Sequence, residues 1–325
     1  MYKIKARPED FLVDEILDYS CSKTGKHLLC ILKKRKCNTM SAISKIAKSL
    51  RIKEKEIGYC GNKDYNAVTS QYISIPSKFK NLIANIDLTQ DGISIDYICN
   101  IDEKLHLGDL SGNKFRITLR NLDKIEIELD KKIRKVPNLF GEQRFSQNNI
   151  EYGRLLVNKK FDILCEKLSV EKDGSLLKEH LENNRNDYVG ALKKYPRNLL
   201  FLYIHAYQSF LWNEVAKKII KNYPDTRQQS LPILGFGSEL EGVKKDYYSE
   251  IMQQESITQR DFINKKIPEL SSDGSQRELF MVVDNFSYEI KKDELFDKKT
   301  KVELVFTLGK GSYATTLIKH LFAQE

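Results

Sequence analysis

Strand-length apolar runs crowd the two ends of this chain, while the stretch between them keeps a helical rhythm. His27 to Lys33 is a short apolar run of strand length. In Lys114 to Arg120, Phe115, Ile117 and Leu119 alternate with Lys114, Arg116, Thr118 and Arg120, which predicts a half-buried strand with a basic outer face. Strands return at Glu278 to Val283 and at Lys301 to Leu308. Residues 150 to 270 read mostly as helix. Leu199 to Ile220 is the strongest stretch, carrying Leu202, Ala206, Phe210, Trp212, Val215 and Ile219 on a broad apolar stripe. The expectation is an α+β protein in which a sheet domain, residues 1–149 and 273–325, holds an inserted, mainly helical domain at 150–272.

Local signals refine this. Asn38 and Thr39 cap a helix with apolar positions Met40, Ile43, Ile46, Ala47 and Leu50, giving a strand-helix-strand order. Glu126 to Lys135 reads as a helix stopped by Pro137. Gly309-Lys310-Gly311-Ser312 is a turn that opens a closing helix from Ala314 to Phe322.

Composition limits the function. At 325 residues the chain can build two cores. Its 54 Lys+Arg against 45 Asp+Glu leave a net charge of +9, which suits a polyanion and also suits a merely lysine-rich surface. The six cysteines form no C-x-x-C pair and the five histidines no cluster, so no metal is expected. The cysteines mostly lie in apolar runs and read as reduced core residues of a cytoplasmic protein. No apolar run reaches the length of a membrane span, and no leader is expected. Gly235-Phe236-Gly237-Ser238 is too loose for a phosphate loop.

Between Ile57 and Ile75 a Gly-led polar turn carries one carboxylate, Asp64, between two strand-like runs. Asp is a common turn former, but a carboxylate held by neighbouring backbone bonds also suits a nucleophile or general base. Here Gly61, Lys63, Asp64, Ala67, Thr69 and Gln71 fit G-x-K-D-x-x-A-x-T-x-Q, the catalytic loop that this segment resembles in the TruD family of tRNA pseudouridine synthases. Three further blocks follow the family in order. Lys5 to Glu15 is similar to its K-x-x-P-E-D-F-x-V-x-E opening, Val136 to Phe145 to its V-P-N-x-F-G-x-Q-R-F, and Gly311 to Thr315 to its G-S-[FY]-A-T.

The resemblance implies a pseudouridine synthase fold, a two-halved antiparallel or mixed sheet flanked by helices, with the inserted TRUD domain. It implies cofactor-free isomerisation of uridine to pseudouridine, at position 13 in the D-arm of tRNA. Asp64 takes the role of the catalytic carboxylate and Lys5 that of its charge partner, keeping a buried carboxylate ionised. Phe11, Phe140 and Tyr313 fall on positions lining the uracil, and Asn138 suits its Watson–Crick edge. Lys63 reads as a surface lysine, and Arg144 as either a phosphate contact or a buried ion pair. Glu9, Asp10 and Glu15 read as structural partners of basic residues. Arg116 and Arg120, with Lys114 and the Lys33-Lys34-Arg35-Lys36 run, are expected on RNA phosphates. A monomer is expected. The competing reading is a non-catalytic RNA-binding protein on the same fold, which would have no need of the lone carboxylate. A glycosidase would need a second one.

Overall fold

The computed structural model describes residues 2–123, 134–145, 148–223 and 230–322. In chain order it runs β1 (Lys3–Ile4), β2 (Phe11–Ile16), β3 (His27–Arg35), α1 (Thr39–Leu50), β4 (Gly58–Tyr59), β5 (Val68–Pro76), α2 (Lys80–Ile83), β6 (Ile93–Ile101), β7 (Gly112–Leu122) and β8 (Lys135–Pro137). Then come α3 (Asn149–Val157), α4 (Phe161–Ser169), α5 (Ser175–Asn183), α6 (Tyr188–Lys194), α7 (Arg197–Asn222), β9 (Ser230–Ile233), α8 (Gly242–Gln254) and β10 (Ser275–Glu278). The last three elements are β11 (Phe280–Lys292), β12 (Thr300–Gly309) and α9 (Ala314–Phe322). Two compact units result, residues 1–136 with 281–314 and residues 137–280 with 315–325.

The first unit is built on a sheet in the order β6-β3-β5-β2-β7-β12-β11-β8, with β1 on β7 and β4 on β5. β2 and β5 run parallel, whereas β3–β5, β2–β7 and β7–β12 are antiparallel. The sheet is therefore mixed. The α1 helix starts where expected: Asn38 caps it, accepting from the Ser41 amide at 2.7 Å. Ile43, Ile46, Ala47 and Leu50 pack on Leu28, Cys30, Leu32, Ile73 and Ile75 from β3 and β5.

In the second unit α7 is buried nearly all round, from Leu200 to Ile219, rather than along one stripe. Leu202 is half-exposed. Gly153 of α3 permits a close crossing, since a Cβ there would stand 2.1 Å from the Tyr203 carbonyl oxygen on α7.

Three expectations change. Lys114 and Arg116 do face outward on β7, but Thr118 and Arg120 on the same face are buried. Arg120 is 0% exposed because Asp10 and Asp293 close over it, at 2.8 and 2.9 Å, with Glu294 at 3.0 Å. It has no face left for a phosphate. Cys21 and Cys99 are disulfide-bonded, while Cys30, Cys37, Cys60 and Cys165 are free and buried. Cys21 sits in a polar stretch rather than an apolar run, and the Ser22 amide bonds the Asn100 carbonyl at 2.8 Å, laying that stretch along β6 beside Cys99. The apolar run at Glu278 to Val283 is not one strand: β10 ends at Glu278 and β11 begins at Phe280. The helix expected over 126–135 lies outside the described residues, apart from Arg134 and Lys135, the latter opening β8.

Candidate active site

Because β2 and β5 are parallel, with Leu12 opposite Val68, the segments that lead into them emerge at the same edge of the sheet. One is the stretch after β1, the other the loop that carries Asp64. Lys5 bends out of β1 in the left-handed region, φ 58°, and its Nζ stands 2.5 Å from Asp64 Oδ2. The same ammonium lies 4.1 Å from the centre of the Phe11 ring. Asn66 Nδ2 donates to the Lys5 carbonyl at 3.2 Å. Lys5, Phe11 and Asp64 thus meet, although 59 residues separate the ion pair.

The Asp64 side chain is 48% exposed and that of Lys5 23%. The carboxylate is not buried as expected, so desolvation is not what the lysine offsets. Its contact takes Oδ2 and aims the group.

The loop itself is braced from below at nearly every residue. Gln71 Nε2 donates to the Gly61 carbonyl at 3.0 Å, and Thr39 Oγ1 joins Gln71 Oε1 at 2.9 Å to the Lys63 amide at 3.0 Å. Lys63 is not a surface lysine. Its ammonium turns inward onto Glu15, whose side chain is wholly buried and whose other oxygen accepts from the Tyr72 amide. Glu9 pairs with Arg35 at 2.6 Å, and Asp10 with Arg7 and Arg120. Glu9, Asp10 and Glu15 each pair with a basic residue, as their sequence context implied.

Lys34, like Lys63 and Arg120, lies inside rather than on an RNA-facing surface. It is 1% exposed, and its Nζ donates to the carbonyls of Cys37, Lys63 and Asp64 at 2.6, 3.2 and 3.0 Å. Burial pushes this ammonium down from its usual 10.5 to about 8, against the opposing pull of Cys37 and Asp64. A signal was present: carried past Lys33, the two-residue alternation of Leu28, Cys30 and Leu32 puts Lys34 on the inward face. Lys33 is exposed on the other face and pairs with Asp96 at 2.8 Å.

Tyr313 precedes α9 and is 39% exposed. Asn138, Phe140 and Arg144 belong to the second unit. Asn138 is buried; its Nδ2 donates to the Glu278 carbonyl at 3.0 Å and its Oδ1 accepts from Arg277 at 2.8 Å. Those bonds use one of the amide's two N–H groups. Phe140 packs edge-on to Trp212 at 5.6 Å with the Arg277 guanidinium 3.9 Å above its ring, and Asn213 holds its amide and carbonyl at 2.9 and 3.0 Å. Arg144 donates to Ser209 Oγ at 3.3 Å and, among the described residues, has no carboxylate partner.

The loop thus presents one half-exposed carboxylate, Asp64, held by Lys5 and by backbone bonds to its neighbours. Among the described residues no group of His, Cys, Asp and Glu could hold a metal ion, and no helix is long and apolar enough to cross a membrane. The model of the family described as tRNA pseudouridine synthase D (TruD) matches residues 2–170, 164–231 and 225–321. A Methanocaldococcus jannaschii protein named as a probable tRNA pseudouridine synthase D 2 is 31% identical, over 98% of this chain and 91% of that protein. A Methanococcus maripaludis protein named as a probable tRNA pseudouridine synthase D 1 is 28% identical, over 98% and 99%. A crystal structure of a Methanosarcina mazei protein described as a tRNA pseudouridine synthase D superposes with a TM-score of 0.79 at 24% identity, over 99% of this chain and 93% of that one. The chain belongs to the tRNA pseudouridine synthase D family of isomerases.

Proposed function

We propose that this chain converts uridine to pseudouridine in tRNA, at position 13 of the D-arm, with Asp64 as the reacting carboxylate and Lys5 as its charge partner. The observation that carries this is the 2.5 Å contact between Lys5 and Asp64 on the braced loop. In the reaction the N1–C1′ bond breaks, uracil turns, C5 bonds to C1′, and the C5 proton is lost to solvent as N1 gains one. Nothing is consumed, so the balance needs no cofactor. Asp64 serves by attacking C1′, by adding to C6, or by taking a ribose proton; each requires an ionised carboxylate.

The uridine has to leave its stack, at a cost of a few kcal/mol. Phe11 and Tyr313, and in the second unit Phe140 and Asn138, are assigned to the uracil by their motif positions. Aromatic stacking returns about 1–3 kcal/mol per ring. Arg116 and Arg144 are assigned to RNA backbone. The domain reading remains a catalytic domain of residues 1–149 and 273–325 with a TRUD insert at 150–272. A monomer in the cytoplasm, where tRNA is found, completes the reading; there the Cys21–Cys99 pair meets a reducing pool.

Asp64→Asn is the test. The amide keeps the shape but is neither nucleophile nor base, so base isomerisation in a tRNA transcript should fall on the order of a hundredfold or more. Affinity for the transcript should stay within a few fold. A variant that keeps more than about a tenth of the wild-type rate removes Asp64 from this role.

A further inference from the structure

We propose that Lys34 is a positioning residue for this reaction: buried under the loop, its ammonium fixes the backbone of Lys63 and Asp64, and with it the place of the Asp64 carboxylate. The inference rests on the reading of Asp64 given above. An ammonium has three N–H donors, and here each meets a main-chain carbonyl, those of Cys37, Lys63 and Asp64. Two of the three belong to consecutive residues of the loop, one of them Asp64 itself. Cys37 is on the link between β3 and α1, so the loop is tied to the rigid sheet and helix below.

A packing role alone does not account for this side chain. Burying a cation that touches no carboxylate is costly, and methionine would fill the same volume without that cost. The groups facing it are Asp64, the Cys37 thiol, and the Lys63 ammonium, which is turned away to Glu15. The positive charge therefore sits behind the carboxylate while Lys5 sits in front of it. Without Lys34, the peptide groups on either side of Asp64 lose their partners and can rotate. A displacement of about 1 Å at a reacting group costs on the order of a hundredfold in rate.

The test uses Lys34→Met and Lys34→Arg in the full chain. Single-turnover isomerisation at saturating tRNA should fall roughly ten- to a hundredfold in Lys34→Met, with tRNA affinity within about threefold. Lys34→Arg keeps charge and donors and should recover part of the loss. Amide hydrogen exchange should quicken at residues 62–67 while β3 and β5 stay protected, a pattern that a general packing defect would not give. A wild-type saturating rate in Lys34→Met overturns the proposal, and so does a slower rate with unchanged exchange in the loop. If Lys34→Met fails to fold, Lys34→Gln, which keeps a donor, is read by the same two criteria. The exchange pattern does not depend on catalysis, so an active Asp64→Asn variant would sink the reading of Asp64 and leave the bracing role of Lys34 to be judged separately.

Discussion

Replacing Arg120 with Gln should cripple folding, not RNA binding. Its guanidinium, 1% exposed, ties together Asp10 and Asp293, themselves 1% and 0% exposed, and reaches the half-exposed Glu294. Gln occupies part of the space, leaves the buried Asp293 without its cation and leaves Asp10 with only the half-exposed Arg7. Breaking a buried ion pair by removing one partner costs about 3–5 kcal/mol. For a unit of this size that is a melting-temperature loss of roughly 6–20 °C. The pH dependence gives the sharper check. Although burial raises it, the amides of Asn121 and Leu295 and the Arg120 guanidinium hold the Asp293 carboxyl below its usual 3.8. The unfolded chain therefore binds protons first as pH falls. The stability that Asp293 contributes is fully present above about pH 5 and is lost as pH drops through the lowered folded value. In Arg120→Gln the share due to the guanidinium is absent at every pH. The gap between the two proteins should thus be widest near pH 7 and narrow below about pH 4. Urea melts of both proteins across that range, with tRNA affinity measured at several salt concentrations, test the argument. A gap under about 1 kcal/mol, a gap independent of pH, or a flatter salt dependence of binding would refute it.

Two further outcomes are expected. Lys5→Met should lower the single-turnover rate at saturating tRNA while leaving tRNA affinity within a few fold, because Lys5 aims Asp64 and is itself mostly covered; an unchanged rate would remove it from the site. Changing Lys114 and Arg116 together to Gln should weaken all tRNAs alike and reduce the log–log salt slope by about 0.9 per lost phosphate contact, without touching the saturating rate; unchanged affinity would show this face to be merely solvated.

Much of the fold was legible because it rests on periodicity. The alternation over Lys114 to Arg120, the cap at Asn38 and the closing helix from Ala314 all follow from side-chain spacing and local hydrogen bonding. What periodicity cannot say is whether an outward face meets water or other chain. Arg120 alternates correctly, yet residues from 110 and 173 positions away close over it. The pairing of Cys21 with Cys99 was hidden for the same reason. In the candidate site, the motif pointed to the Lys5–Asp64 pair, since residue types and order carry chemistry. The exposure of Asp64 and the burial of Lys63 did not follow, and the alternation that turns Lys34 inward was overruled, because a lysine's charge argues for the surface unless one knows which carbonyls or carboxylates await it.

The sheet of the first unit also sets a timetable for synthesis. β7 pairs on one side with β2, made before it, and on the other with β12, which leaves the ribosome only after residues 137–280, the greater part of the second unit, have been translated. At about 5–20 residues per second the interval between Leu122 and Thr300 lasts on the order of ten to forty seconds. For that time the nascent chain carries a long, incomplete strand edge of the kind that invites pairing with other chains. Arg120 waits on that edge without Asp293, which arrives only with the last part of the chain. Its first partner is Asp10, made before it, so the buried cluster that seals the finished sheet is completed only when Asp293 arrives.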